Sequence, residues 1–119
     1  MAEQQATEHE LVPERVTELS DAQLVDVRTL AEYEAGHIAG ARHVPLEELQ
    51  AAAPEFERDR PVVVYCRSGD RSSMAVDAFR ASGWDAYAIA GGLLAWADQG
   101  LALEPVDGEV AHHSGLPPA

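Results

Sequence analysis

The chain has 119 residues, room for one domain with a core that needs no covalent staples. Its 8 basic residues, all Arg, face 21 acidic ones for a net charge of -13, a balance that argues against nucleic acid and against an anionic membrane surface as partners. The absence of Lys removes Schiff-base chemistry, and a lone Cys66 removes an internal disulfide and a multi-cysteine metal site.

Residues 1–8 are polar and read as a disordered amino-terminal segment without the basic start and apolar stretch of a signal peptide. Residues 9–12 read as a short strand, and Pro13 suits the first turn of a helix over 13–19. Residues 23–27 form a strand ending in a polar turn at Arg28-Thr29. Thr29 caps a helix over 30–35, with Glu32 as its capping-box partner and Gly36 as its stop. Residues 41–44 are a further strand, and the apolar spacing of Leu46, Leu49, Ala52 and Ala53 predicts a helix over 46–53. Residues 61–65 are apolar throughout, as a central strand of a parallel sheet should be. A helix follows over 72–81, a fifth strand over 85–89 and a last helix over 92–99, stopped by Gly100. Residues 105–119, rich in Pro, Gly and His, read as a flexible tail after a domain spanning 9–104. The alternation of strands and helices predicts an α/β domain: five mainly parallel strands flanked by helices on both faces. The longest apolar run, residues 86–97, is too short to span a bilayer. A cytoplasmic protein with a reduced thiol is expected.

The informative segment is Tyr65-Cys66-Arg67-Ser68-Gly69-Asp70-Arg71-Ser72, a strand running into a cysteine, a short polar loop and a helix start. Ligand chemistry in open α/β sheets gathers at the carboxyl ends of strands. A loop curling round the thiol aims backbone N–H groups at the sulfur, and Gly69 lets it turn tightly. The following helix adds the positive end of its dipole, and Arg67 and Arg71 add formal charge; each favours thiolate over thiol. Asp70 would oppose ionisation if it pointed at the sulfur, so it is expected to face solvent or pair with an Arg.

At this point the chain resembles the rhodanese family of sulfurtransferases in its single-domain form. The resemblance rests on Asp26-Val27-Arg28 with Glu32-Tyr33, on Gly36-His37-Ile38-Ala39-Gly40-Ala41, on the cysteine loop, and on Gly91-Gly92 with Trp96. It implies a rhodanese-like fold and a Cys66 that takes sulfane sulfur from thiosulfate or a persulfide and passes it to cyanide, a small thiol or a protein thiol. The backbone of residues 67–72 would hold the anionic sulfur, with Arg67 and Arg71 on the donor's oxyanion. No metal or organic cofactor is implied.

Cysteine phosphatases are a rival class, but they place five residues between Cys and Arg, whereas four separate Cys66 from Arg71. A non-catalytic binding module, or a sulfur carrier working with protein partners, is the other alternative. Among supporting residues, Asp26 is expected to brace a loop and Arg28 to pair with Glu32 four residues on. His37 is expected as a hydrogen-bonded turn residue. Trp96 is expected in packing, with the pocket rim as a second placement, Trp84 in packing, and His112-His113 in solvent.

Overall fold

The strand Val62–Tyr65 is buried along its whole length, and the sheet is built outward from it. The structure, a computed structural model of the chain, describes residues 8–105 and 108–110. In chain order the elements are β1 (Glu10–Leu11), α1 (Pro13–Thr17), β2 (Gln23–Asp26), α2 (Leu30–Ala35), β3 (Arg42–His43), α3 (Leu49–Ala52), β4 (Val62–Tyr65), α4 (Asp70–Ala81), β5 (Ala86–Ile89) and α5 (Gly92–Asp98). The five strands lie in the order β1-β5-β4-β2-β3, and every pairing is parallel. The sheet is therefore wholly parallel. The antiparallel bridge between His37 and Glu104 lies outside it.

Side chains alternate across a strand, and β4 divides the core accordingly. Val62, Val64 and Cys66 pack with Phe56, Ala75, Val76, Phe79 and Trp84. Val63 and Tyr65 pack on the other side with Val16, Ile38, Ile89, Leu93 and Trp96. Helix α4 contributes Ser72, Ala75, Val76 and Phe79 to its buried stripe, the spacing of one helical face. Cys66 thus continues the α4 side of β4 one residue beyond the strand.

Three local differences from the sequence reading have physical causes. Residues 46–53 are not one helix: short 3-10 turns at Leu46–Glu48 and Ala53–Glu55 flank the single turn of α3. Pro54 removes an N–H and clashes with the preceding turn, so the run cannot extend as an α-helix. Helix α4 starts at Asp70, two residues early, because Gly69 at φ 124 already turns the chain into it. Residues 108–110, expected within a loose tail, pack against the body. The Glu109 amide donates to the Ala35 carbonyl at 2.8 Å, and Val110 packs against the Ile38–Trp96 side of the core. The side-chain-free Gly36 permits this, since a Cβ there would lie 2.3 Å from the Glu109 carbonyl oxygen. Residues 1–7 and 111–119, with His112 and His113, lie outside the described residues.

Candidate active site

Strand β4 ends one residue before Cys66, whose side chain is 1% exposed. The Gly69 amide donates to its Sγ at 3.0 Å. The thiol in turn lies 3.5 Å from Ser72 Oγ, which accepts its proton, while the Ser72 hydroxyl donates to the Gly69 carbonyl at 3.2 Å. The loop therefore closes on the sulfur from both ends, and α4 begins there with its positive dipole end. Cys66, Arg67, Ser68, Asp70 and Arg71 line a cavity of about 350 Å³. Asp70 is exposed. A larger apolar groove of about 720 Å³, between the residue 46–54 segment and α4, contains none of residues 66–71 in its lining.

The loop rests on the start of α5. The Leu93 amide donates to the Cys66 carbonyl at 2.9 Å, and the Leu94 amide to the Arg67 carbonyl at 3.0 Å. Helix amides without internal partners thereby satisfy loop carbonyls that would otherwise be buried and unpaired. Gly92 makes the approach possible: it sits at φ +64, and a Cβ there would be 2.5 Å from the Arg67 carbonyl oxygen. Nothing local in the Gly91-Gly92 pair signals this contact, because the cysteine loop lies more than twenty residues away in the chain.

The charged residues pair differently from expectation. Arg28 does not reach Glu32. Its Nε donates to Asp26 Oδ1 at 2.9 Å and its Nη2 to Asp26 Oδ2 at 2.7 Å, with a further bond from Nη2 to the Gly36 carbonyl at 2.8 Å. Asp26 Oδ1 also accepts the Arg28 amide at 3.0 Å. Arg28 precedes Thr29, the N-cap of α2, so it stands outside the helix and four-residue helical spacing does not apply. Asp26 and Arg28, both 0% exposed, brace the end of β2 against the Gly36 turn.

Glu32 pairs instead with Arg71, with Nη1 to Oε1 at 2.9 Å and Nη2 to Oε2 at 3.1 Å. The same carboxylate accepts the Thr29 amide and hydroxyl at 3.0 and 3.1 Å, completing the capping box of α2. Burial alone would raise the Glu32 carboxyl. The Arg71 guanidinium and the Thr29 donors outweigh it and hold the group below the usual carboxylate range. Arg71 is pushed up in turn by Glu32, against the opposing effect of its own burial. Arg71, expected on a donor's oxyanion, therefore lines the cavity at Cys66 with each terminal nitrogen giving one N–H to Glu32.

His37 serves its turn. Its Nδ1 hydrogen-bonds the Tyr33 carbonyl at 2.7 Å, its ring stacks on Tyr33 at 3.8 Å, and its amide donates to the Glu104 carbonyl at 2.9 Å. Trp96 is a buried residue of α5 and donates from Nε1 to the Ala102 carbonyl at 3.0 Å. It is not part of the cavity lining, so the pocket-rim placement does not hold. Burial, with Asp26 close by, pushes the Tyr65 hydroxyl far above its usual range, and that hydroxyl accepts the Ile38 amide at 3.0 Å. Among the described residues, no cluster of His, Cys, Asp and Glu is arranged to hold a metal, and no helix is long and apolar enough to cross a membrane.

An open parallel sheet with a single cysteine at the carboxyl end of its central strand, its sulfur accepting the Gly69 amide of the following loop, defines a class of thiol-centred α/β domains. The rhodanese-like domain model matches residues 12–99, and the chain belongs to that family. A sulfurtransferase of Allochromatium vinosum is 36% identical over 100 residues, covering 83% of this chain and 94% of that protein. The YqhL protein of Bacillus subtilis is 42% identical over 76 residues, 63% of this chain and 60% of its own length. A rhodanese-related protein of Thermoplasma volcanium superposes with a TM-score of 0.76 at 27% identity, covering 80% of this chain and 96% of that one.

Proposed function

We propose that the chain is a sulfurtransferase in which Cys66 carries sulfane sulfur as a persulfide. The observation that carries this reading is the placement of Sγ at the foot of a small cavity, with the Gly69 amide on it at 3.0 Å and α4 starting behind it. The likeness to a protein named as a sulfurtransferase supports it.

In the first half-reaction the Cys66 thiolate attacks the outer sulfur of the donor. A bond forms between Sγ and that sulfur. The donor's own S–S bond breaks, and the leaving group, sulfite from thiosulfate or a thiolate from a persulfide, departs with the electron pair. In the second half-reaction an acceptor attacks the outer sulfur and Cys66 regains its thiolate. Cyanide leaves as thiocyanate; a small or protein thiol leaves as a new persulfide. Amides of residues 67–72 and the α4 dipole are suited to the negative sulfur at both stages. The chemistry needs no cofactor, and a reducing cytoplasm would keep the thiol free. The strong negative charge of the chain suits a basic protein acceptor through electrostatic steering.

A phosphatase reading fits less well. Such an enzyme needs a guanidinium over the phosphate, and both ends of Arg71 are turned to Glu32. A binding module without catalysis leaves the enclosed cysteine unexplained.

The test is the intact mass of the protein after exposure to thiosulfate or an alkyl persulfide, then after cyanide. A gain of about 32 Da that cyanide removes and that Cys66→Ser lacks is the expected result. No gain with either donor would overturn the reading.

A further inference from the structure

The cavity around Cys66 holds a charge arrangement that the reaction alone does not require. Arg71 lines it yet faces Glu32 end-on through two hydrogen bonds of 2.9 and 3.1 Å. Glu32 is 0% exposed, while the Arg71 side chain keeps 29% of its surface open. The carboxylate is not free to swing away, because Oε1 also accepts both Thr29 donors that cap α2. The guanidinium is thus held at the cavity wall with its charge already compensated. Asp70, exposed at the same cavity, adds a negative charge. The formal charges of Arg67, Arg71, Asp70 and Glu32 cancel, within a chain whose net charge is -13.

We propose that Glu32 is a specificity-determining residue of the cavity. By compensating the charge of Arg71 at the cavity wall it tunes the site toward singly charged sulfane-sulfur donors, organic persulfides and thiosulfonates, and away from dianionic thiosulfate. This inference rests on the sulfurtransferase reading. Thiosulfate brings two negative charges to a cavity where these four side chains sum to zero before the Cys66 thiolate is counted. A thiosulfonate presents the same S–S bond with one charge fewer.

Glu32→Gln is the informative substitution. It keeps the Oε1 acceptor for Thr29 and the side-chain volume, and it removes the charge that holds Arg71. The measured quantity is the ratio of kcat/KM for methanethiosulfonate to kcat/KM for thiosulfate. In the wild-type protein the ratio exceeds one. In E32Q it falls about ten- to a hundredfold, the worth of one regained charge-assisted hydrogen bond. In the double variant Glu32→Gln/Arg71→Gln it returns toward the wild-type value, an outcome that general loosening of α2 would not produce. An unchanged ratio in E32Q, or a double variant that keeps the lowered ratio, overturns the inference. If E32Q does not fold, a wild-type preference for the dianion overturns it on its own. Wild-type protein that takes sulfur from neither donor overturns the sulfurtransferase reading itself, which separates the two failures.

Discussion

Replacing Gly92 by alanine would put a methyl carbon 2.5 Å from the Arg67 carbonyl oxygen and 2.7 Å from that of Cys66. Both neighbours are backbone atoms, so the cysteine loop itself must move. Two costs combine. Holding a non-glycine residue at φ +64 costs about 1–2 kcal/mol. Overpacking a close contact costs about 1–3 kcal/mol more. Gly100 supplies the matched control. It sits at φ +75 with nothing within 4 Å of an added Cβ, so Gly100→Ala should lose only the first amount. A kcal/mol is worth about 4–8 °C in Tm for a domain of this size, so thermal melts separate the two variants. Sulfur transfer should separate them further. A loop displaced by about an ångström can lose a hundredfold in rate, whereas Gly100→Ala leaves the loop in place. Equal melting temperatures for the two variants, together with a wild-type rate of persulfide formation in Gly92→Ala, would refute the contact argument.

Asp26→Ala leaves the Arg28 guanidinium buried without its carboxylate, and urea unfolding should show a loss of about 3–5 kcal/mol; a loss below about 1 kcal/mol would mean that the pair bears no stability. Glu32 titrates lower in the folded chain than its usual 4.5, so it contributes stability that is present above that value and lost as the pH falls through the lowered one. Acid unfolding monitored by circular dichroism should therefore be less steep below about pH 4.5 in E32Q than in the wild-type protein, with no difference in pH dependence between pH 6 and 8; parallel acid limbs would contradict the assignment.

The sheet and the cysteine loop were legible because each has a local signature. An unbroken apolar run marks a strand buried on both faces, and a cysteine directly behind it falls at the sheet's reactive edge. The charge pairing was not legible. Arg28 and Glu32 have the spacing of a helical pair, but the cap at Thr29 puts Arg28 on the strand side of the boundary, where its own strand offers Asp26. The true partner of Glu32 is 39 residues away. Only the adjacency of β2 and β4 in the sheet brings α2 and the cysteine loop together. The seating of the loop on α5 is equally non-local. The helix near 46–53 misled for the opposite reason: its apolar spacing is helical, but Pro54 ends the geometry that the spacing suggests.

The Gly69 carbonyl is oversubscribed. It accepts the Ser72 hydroxyl at 3.2 Å, the Ser73 hydroxyl at 2.9 Å and the Ser73 amide at 3.1 Å. The Ser72 hydroxyl has a single proton to give. When the sulfur beside it is a thiol, that proton goes to the carbonyl and the oxygen receives the S–H. When the sulfur becomes an anion, the proton can turn toward it, and the carbonyl keeps two donors. Redundancy at one oxygen atom therefore lets the loop accommodate a change of charge by rotating one hydroxyl, with no backbone group left wanting a partner and no movement of the main chain.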